Sequence, residues 1–549
     1  MNRDAMGRLA RTVLQLRPQQ VAHRVRLRTQ RAALRRWPDT GRRLLDTPRP
    51  AVAGWPSGFI PVDARTPTRW PSIDELDDGV ITLLGHTGKL GDPADWSQLH
   101  EPQLWRFHLH YWDWAWPLAL QQDQGAARAV FARWWRSWQQ ATVFGRYDEW
   151  APYVASLRAW SWCGLYDHLV AGEPHEDRFL GALWLHLRFL RPHLERDVGG
   201  NHLVKNLKAL LGLAVFFGQQ RLLDRTLHAL AREASKQVLP DGGHFERAPA
   251  YHCQVLADLI DIAELLEAAR GDSPEWLTAA INRMRRFLGL VLLPDGTVPL
   301  FNDGYPVPGE LVDELRPGPP AADGITLLPD SGLAVLRAGE LFVIADVGEP
   351  CPRGLPAHAH ADTLSFLLHD GARRVVTEAG TSTYDQCARR RFERSTGGHS
   401  TVEIDDTDST EVWAAFRAGR RAGAHVVDSA DSADRGGELV LTAEHDGYRH
   451  LKGAPVHRRT WRLSDSELRV SDEVRGHGRH RLVSRVFLAP EVPAEQADRF
   501  GGDWRVEPAG LATGWERIEP GTVLLRETTA RLPWSDEFRY STSERKGAQ

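Results

Sequence analysis

The spacing of apolar residues divides the chain into two parts of different character. In the first part, apolar residues recur every three to four positions, which is the period of an amphipathic helix. This pattern predicts helices over residues 126–138, 180–190, 203–217, 222–238, 253–269 and 274–293. Short connectors with Gly, Pro or Asp separate these segments. Many consecutive helices joined by short loops are typical of a helical bundle, a solenoid or a toroid.

From about residue 325 the apolar residues alternate instead, which indicates strands. Residues 332–347 and 364–378 each read as two strands, the second pair joined at Asp370-Gly371, a dipeptide that favours hairpins. Further alternating runs lie at 438–443, 458–463, 467–474, 482–488 and 522–526. Closely spaced strands without helices between them predict an antiparallel β-sandwich.

We therefore predict an α+β chain of three parts. A basic helical arm and linker occupies residues 1–94, a helical domain residues 95–320 and a β-sandwich domain residues 325–549. The stretch 316–324 is rich in Pro and Gly and is the expected linker between the last two.

Composition excludes several classes of protein. The chain has 549 residues, and its 68 basic and 72 acidic residues leave a net charge of −4, so no global field attracts nucleic acid. Its four cysteines are scattered, which argues against a disulfide scaffold or a zinc-finger array. No apolar run approaches the length of a membrane span, and no apolar segment of the signal-peptide type follows Met1, so we expect a cytoplasmic protein. The pattern indicates no particular oligomeric state.

The N-terminal arm is strongly basic. Residues 1–43 contain twelve arginines against two acids. A basic amphipathic helix can lie on an anionic membrane surface. It can equally pack on the body of the protein with its arginines in solvent, and the sequence leaves both alternatives open.

Aromatic residues are dense between 105 and 116, around Trp112. With Tyr153 and Arg158 downstream, this segment could line a carbohydrate cleft, because flat aromatic faces suit sugar rings. Buried aromatics in a helical core would explain the same composition.

Two polar segments in the helical part are candidates for chemistry. Asn201 and His202 precede an apolar helix, where Asn201 could simply be the N-cap and where backbone N–H groups also favour anions. Residues 241–252 form a polar loop with two glycines, a proline and two histidines, and loops of this kind often carry function. In it, Tyr251 could be a buried core hydroxyl or a proton-transfer group.

The strand-rich part contains a cluster of histidines. His358 and His360 lie two residues apart, and on an extended segment such residues point to opposite faces. Glu378 and His399 follow downstream. Two imidazoles and a carboxylate suit Zn²⁺, although this spacing alone is not diagnostic.

Taken together, these segments resemble the heparinase II/III-like polysaccharide lyases. The matching stretches span roughly residues 95–420, in order: 104–114, 150–160, 200–211, 241–252, 300–304, 358–366 and 391–405. The resemblance implies an incomplete (α/α) toroid followed by an antiparallel β-sandwich. It also implies β-elimination of 4-linked uronic-acid polymers, a reaction that needs no organic cofactor.

The resemblance assigns roles to particular residues. Asn201, assisted by His202, would bind the uronate carboxylate, and Tyr251 and His358 would supply the acid and the base. Tyr251 is the expected acid, and either residue could serve as base, depending on the substrate. The expected substrate-binding residues are Trp112, Tyr153, Arg158, Glu246, Arg247 and Arg394.

The resemblance further implies a zinc ion held by His360, Glu378 and His399, which would orient the neighbouring His358. Glu378 departs from the family pattern, in which we expect Asp. Few basic residues surround the motifs, so we expect an acidic polysaccharide without sulfate, linked to bacterial exopolysaccharide or capsule metabolism.

Two alternatives remain open. A toroid glycoside hydrolase would need two carboxyl groups flanking the scissile bond, and Glu246, Asp303 and Asp362 are available. A non-catalytic factor that binds or assembles a polysaccharide could keep the same fold.

Overall fold

A computed structural model describes residues 3–65, 71–431 and 437–542, with the side chains of residues 3–5 left out. The chain forms two compact units. We call Arg17–Gln237 and Gln254–Ile281 the helical unit, and Met1–Leu16, Val238–Cys253 and Asn282–Gln549 the sheet unit.

The helices are α1 (Arg3–Leu14), α2 (Pro18–Arg36), α3 (Pro38–Leu45), α4 (Ile73–Asp77), α5 (Gln103–Leu109), α6 (Trp116–Ala119), α7 (Gln124–Ala141), α8 (Pro152–Leu169), α9 (Glu176–Leu190), α10 (Gly200–Phe216), α11 (Gln220–Gln237), α12 (Pro249–Arg270), α13 (Glu275–Val291), α14 (Gly309–Leu315) and α15 (Ala388–Arg394).

The strands are β1 (Val80–Leu83), β2 (His86–Lys89), β3 (Gly324–Leu328), β4 (Leu333–Ala338), β5 (Leu341–Asp346), β6 (Phe366–Asp370), β7 (Arg373–Thr377), β8 (Val402–Ile404), β9 (Val412–Trp413), β10 (Arg417–Ala418), β11 (Ala424–Ala430), β12 (Leu439–His445), β13 (Val456–Leu463), β14 (Glu467–Arg475), β15 (Arg479–Leu488), β16 (Phe500–Gly501), β17 (Arg505–Gly514), β18 (Arg517–Arg531) and β19 (Trp534–Ser541).

The helical unit has an inner and an outer layer of helices. The inner helices α8 and α10 are buried along almost their whole length. The outer helices α7, α9 and α11 bury one face and expose the other. A helix that is apolar on all sides must be enclosed by others, whereas an amphipathic helix lies at the surface, so the sequences of these helices account for their layers.

The sheet unit is a sandwich of two antiparallel sheets. The larger sheet has the order β17-β18-β15-β7-β6-β5-β4-β3, with β8 also pairing with β15, and the smaller has the order β11-β12-β13-β14-β19-β16. Leu336 and Val343 of the larger sheet and Leu441 and Trp461 of the smaller one belong to one buried apolar cluster. The side chains of β13 and β14 alternate between buried and partly exposed positions, as expected for sheets with one face in the core.

The two compact units divide the chain at other positions than the pattern of the sequence does. The last segment of the sheet unit begins at Asn282, because Phe287 and Val291 of α13 pack with Val335 and Ile344 of the larger sheet. The predicted linker also packs here, since the Gly318 backbone N–H donates to the Arg285 carbonyl.

The N-terminal arm is not a separate part of the described structure. In the sheet unit, Arg11 of α1 pairs with Glu411, and the Thr12 hydroxyl donates to the Ala418 carbonyl. In the helical unit, Arg26 of α2 donates to the Pro192 carbonyl. These contacts favour the alternative in which the arm packs on the body of the protein. None of the described helices combines the length and the apolar character that crossing a bilayer requires.

Candidate active site

The candidate acid and base lie side by side in the sheet unit. Tyr251 is in the first turn of α12, and His358 lies in the loop between β5 and β6. Their ring centroids are 4.0 Å apart, with an angle of 34° between the ring planes. The sequence predicted both residues separately, and the structure brings them into direct contact.

Asp303 fixes the orientation of His358. Its Oδ2 lies 2.9 Å from His358 Nδ1, and its Oδ1 lies 2.8 Å from His360 Nε2. Both carboxylate oxygens also accept hydrogen bonds from the Arg390 guanidinium, at 2.5 and 2.8 Å. A carboxylate held on both sides by donors is a rigid support for the imidazole that it contacts.

The same contacts determine the ionisation of Asp303. Burial favours the neutral acid, but the Arg390 charge and the hydrogen bonds from His358 and His360 outweigh it and hold the pKa of Asp303 well below its ordinary value. Asp303 is therefore a carboxylate at neutral pH, and it accepts hydrogen bonds from the two imidazoles.

Glu246 approaches His358 from the other side. Its Oε2 lies 3.2 Å from His358 Nε2, so both ring nitrogens face carboxyl groups. Glu246 belongs to a tight turn in which the Arg247 N–H donates to the His244 carbonyl. The predicted substrate-binding residue Glu246 is thus a neighbour of the candidate base.

The hydroxyl of Tyr251 is paired with a second phenol. It lies 2.7 Å from the hydroxyl of Tyr384, which comes from the segment between β7 and α15. Burial, and next the nearby Tyr384 and Tyr305, raise the pKa of Tyr251 well above its ordinary value. Tyr251 is therefore a neutral phenol at neutral pH and can give up a proton. We call Glu246, Tyr251, Asp303, His358 and Tyr384 the Tyr251–His358 cluster.

Asn201 and His202 lie in the helical unit, at the start of α10. The N-cap of this helix is Gly199, with φ +74°, so the possibility that Asn201 is the cap is wrong. Asn201 is buried within the first turn, while the His202 side chain is about one-third exposed. His202 Nδ1 lies 3.3 Å from Glu195 Oε1, and its ring lies 4.3 Å from that of Tyr153. The structure thus groups three of the predicted residues, Tyr153, Asn201 and His202, within this unit.

Trp112 and Arg158 form part of the core of the helical unit, and both are 0% exposed. Trp112 stacks on Trp96, and Arg158 lies over the ring of Trp138 with its Nε 3.0 Å from His186 Nε2. Neither side chain offers a surface to a sugar, so the structure corrects the prediction that they bind substrate and favours the packing alternative.

The side chains of Arg394 and Arg247 donate hydrogen bonds to backbone carbonyls. Arg394 is buried and donates to the carbonyls of Ala359 and Ala414, which makes it a structural residue rather than a substrate contact. The partly exposed Arg247 donates to the carbonyl of Glu349.

The predicted metal ligands are buried, but each makes a hydrogen bond within the protein. His399 Nδ1 pairs with Glu378 Oε2, and the His360 and His399 ring centroids are 5.3 Å apart. His360 Nδ1, Glu378 Oε1 and His399 Nε2 are buried without hydrogen-bond partners, and these are donor types that zinc prefers. Over the part of the chain that the structure describes, however, no three His, Cys, Asp or Glu side chains are placed to hold a metal ion. The residue types fit zinc, but these side chains would have to give up their present hydrogen bonds to bind the ion.

Sequence reasoning missed two residues of the site. Tyr384 belongs to the Tyr251–His358 cluster and Arg390 is ion-paired with its Asp303, yet neither stands in a recognisable motif. The run of three arginines at 389–391 is a weak signal for a site residue in the sequence. In the structure, Arg390 is the one of the three that is both buried and ion-paired.

Comparisons with known proteins show the family and the fold. The Heparinase II/III N-terminus family model matches residues 91–315, and the model for the Heparinase II/III-like, C-terminal region matches residues 321–537. The crystal structure of heparinase III superimposes with a TM-score of 0.68 at 16% identity, covering 83% of this chain and 79% of that chain. The likeness confirms the predicted fold class, an incomplete (α/α) toroid followed by an antiparallel β-sandwich.

Two curated relatives carry different names. The chain is 28% identical over 435 residues to FtsZ-localized protein C of Caulobacter vibrioides, covering 77% of this chain and 72% of that protein. It is 24% identical over 317 residues to Heparin-sulfate lyase of Bacteroides stercoris, covering 50% of this chain and 44% of that protein. Because the two family models together match most of its length, the chain belongs to the heparinase II/III-like family.

Proposed function

We propose that the protein is a polysaccharide lyase that cleaves a 4-linked, uronic-acid-containing polymer by β-elimination. The observation that carries this proposal is the contact between a protonated phenol, Tyr251, and an oriented imidazole, His358, with ring centroids 4.0 Å apart. General acid–base catalysis requires two such groups within reach of one substrate.

In the proposed reaction, His358 removes the C5 proton of the uronate. The electron pair of the C5–H bond forms the C4–C5 double bond, and the C4–O4 bond breaks. Tyr251 gives its proton to the departing O4. No oxidant, reductant or water enters the balance.

The neighbours of these two residues support their roles. Asp303 holds His358 Nδ1, so that Nε2 is the nitrogen that can take the proton, after substrate has displaced Glu246 from it. The Tyr384 hydroxyl positions that of Tyr251. Asp303 and Tyr384 are positioning residues in this scheme.

The negative charge that develops on the uronate must also be neutralised, since the C5 proton is only weakly acidic. We assign this role to Asn201 and His202, whose neighbour Tyr153 would contact the same sugar. Fixed donors placed where charge develops stabilise such a transition state.

We further propose that His360, Glu378 and His399 bind zinc, which would supply a fixed charge that orients the loop of His358. The three buried donor atoms without hydrogen-bond partners support this assignment. No step of the elimination uses the metal.

We propose a substrate without sulfate, such as a bacterial exopolysaccharide or capsule polymer, and action in the cytoplasm. The arginines near the Tyr251–His358 cluster support a substrate without sulfate, because Arg390 is paired with Asp303 and Arg394 with backbone carbonyls. A sulfated polymer would call for unpaired cations.

A screen of acidic polysaccharides tests the proposal. Elimination gives a product with a C4–C5 double bond and near-ultraviolet absorbance, whereas hydrolysis gives reducing ends without it. We expect absorbance to rise with at least one polymer that lacks sulfate. Reducing ends without absorbance would favour a glycoside hydrolase, although Asp303, one of the three carboxyl groups available to that alternative, is fully buried and ion-paired.

A second candidate function is a non-catalytic factor that binds or assembles a polysaccharide. It is favoured by the name of one relative, FtsZ-localized protein C, which states a location and no reaction. This alternative predicts that polymer binding survives Tyr251→Phe and that the unmodified chain turns over none of the polymers.

A further inference from the structure

A short hairpin of the sheet unit lies against the loop that carries His358. We call residues 411–420, which contain strands β9 and β10, the support hairpin. Ala418 and the partly buried Val412 of this hairpin pack with Ala359 in one apolar cluster. Because Ala359 follows His358 directly in the chain, the support hairpin contacts the loop of the candidate base.

Arg394 of α15 bonds the support hairpin to the same loop. One terminal nitrogen of its guanidinium donates to the Ala414 carbonyl at 2.8 Å, and the other donates to the Ala359 carbonyl at 2.8 Å. The second nitrogen also lies 3.2 Å from the Arg417 carbonyl oxygen. Arg394 is buried, so the positions of these carbonyls depend on one another.

Arg390 makes a second connection, to the carboxylate that orients His358. It donates to the Ala415 carbonyl at 2.9 Å and to the two carboxylate oxygens of Asp303 at 2.5 and 2.8 Å. Asp303 in turn lies 2.9 Å from His358 Nδ1. The support hairpin is therefore connected to His358 through both arginines.

Helix α1 at the start of the chain holds the support hairpin from another direction. Arg11 donates to both carboxylate oxygens of Glu411, at 2.7 and 2.5 Å. Thr12 Oγ1 accepts a hydrogen bond from Trp413 Nε1 at 3.0 Å and lies 3.2 Å from the Ala418 carbonyl oxygen. Two adjacent residues of α1 thus contact both strands of the hairpin and the residue before them.

The support hairpin needs such contacts to keep its conformation. Each of its strands has only two residues, and an isolated two-stranded hairpin is at most marginally stable. Ala414, between the strands, has φ +51°, in the left-handed region that residues with a Cβ seldom adopt. Helix α1 lies outside the residues that the two family models match, so its support goes beyond the matched regions.

We propose that Arg11 and Thr12 are positioning residues of the active site, through which α1 fixes the support hairpin and with it the loop of His358. The effect on catalysis rests on the proposed function, in which His358 removes the C5 proton. A base that is held less precisely spends less time in the reactive geometry, so elimination slows while the substrate still binds.

The kinetic test uses the full chain and the rate of ultraviolet absorbance with the best polymer of the screen. Arg11→Glu places a like charge beside Glu411, and we expect it to lower kcat about tenfold with KM within about twofold of wild type. Thr12→Val removes the hydroxyl without changing any charge, and kcat should fall about threefold. Arg11→Lys should keep most of the rate, because it retains the positive charge.

Arg128→Glu is the matched control. Arg128 pairs with Glu173 at 3.2 Å in the helical unit, so the substitution also places a like charge beside a partly exposed carboxylate. It should leave kcat within about twofold of wild type. Should Arg11→Glu fail to fold, Thr12→Val decides, because it alters one buried hydroxyl and leaves the charges of α1 intact.

Hydrogen exchange measured by mass spectrometry tests the coupling without turnover. The Gly419 N–H donates to the Glu411 carbonyl, and the Ala361 N–H donates to the Arg394 carbonyl, both at 2.9 Å. In Arg11→Glu and Thr12→Val, peptides that cover residues 411–420 and 356–362 should both exchange several-fold faster than in the wild type, because the segments open together. Arg128→Glu should leave both unchanged.

The outcomes separate this inference from the proposed function. Faster exchange in both segments, combined with a wild type that makes no ultraviolet-absorbing product, would overturn the lyase and keep the positioning role of α1. Unchanged exchange at residues 356–362, or an unchanged kcat of both variants in an active enzyme, would overturn the positioning role.

Discussion

The hydrogen bond between two phenols gives the sharpest prediction about the mechanism. Tyr384→Phe removes one hydroxyl, 2.7 Å from that of Tyr251, and keeps the aromatic ring. A neutral hydrogen bond contributes about 0.5–1.5 kcal/mol net. If that contribution is realised in the transition state, kcat should fall by roughly two- to thirteenfold. KM should change little, because the ring that faces the substrate is retained.

The assay is the initial rate of ultraviolet absorbance with the best polymer of the screen. Tyr251→Phe should be far slower, since loss of a general acid costs about 10²–10⁴-fold. The double variant should be no slower than Tyr251→Phe alone, because Tyr384 acts through Tyr251. Tyr448→Phe is the matched control: it removes a buried hydroxyl that donates to the Val402 carbonyl at 2.8 Å, and it should leave kcat unchanged.

Two results would refute this reasoning. A Tyr384→Phe variant as slow as Tyr251→Phe would show that Tyr384 delivers the proton. A variant with wild-type kcat would show that the pairing of the two phenols does not contribute to the transition state.

Three further predictions follow from other contacts. His358→Ala should abolish elimination and leave the melting temperature within a few degrees, and normal turnover by this variant would exclude His358 as the base. Asp472→Asn should lower the free energy of unfolding by about 3–5 kcal/mol in a urea titration, because it leaves the buried Arg459 charge unpaired. Burial alone would raise the pKa of Asp472, but Arg459 and His457 outweigh it and hold this pKa below its ordinary value. The stabilisation from the Asp472 carboxylate is therefore present above about pH 4 and is lost as the pH falls. A variant whose stability falls as steeply as that of the wild type below that pH would contradict this. Protein purified without added metal should contain about one zinc per chain by elemental analysis, and metal-free protein would reject the zinc assignment.

The fold was largely predictable from the sequence, because the apolar residues of most helices and strands recur with a regular spacing. Strand β14 (Glu467–Arg475) was predicted at 467–474, and its side chains alternate in burial along its length. Helix α8 (Pro152–Leu169) was missed, although it is 18 residues long. It is buried on almost all sides, and its apolar residues follow no clear helical period.

The candidate site was predictable only in part. The resemblance to the family identified Tyr251 and His358, because each stands within a matching segment. Tyr384 reaches the site from a segment far along the chain, and a single aromatic residue carries no pattern. Trp112 was misassigned to a sugar cleft because composition does not distinguish a ring that packs in the core from one that is exposed to a ligand.

The direct test of the central claim is the ultraviolet absorbance of acidic polysaccharide treated with wild type and with Tyr251→Phe. We predict a rising signal for the wild type on an unsulfated uronate polymer, and a rate about 10²–10⁴-fold lower for the variant at an unchanged melting temperature. Equal rates for the two proteins would contradict the claim that the Tyr251 phenol protonates the leaving oxygen.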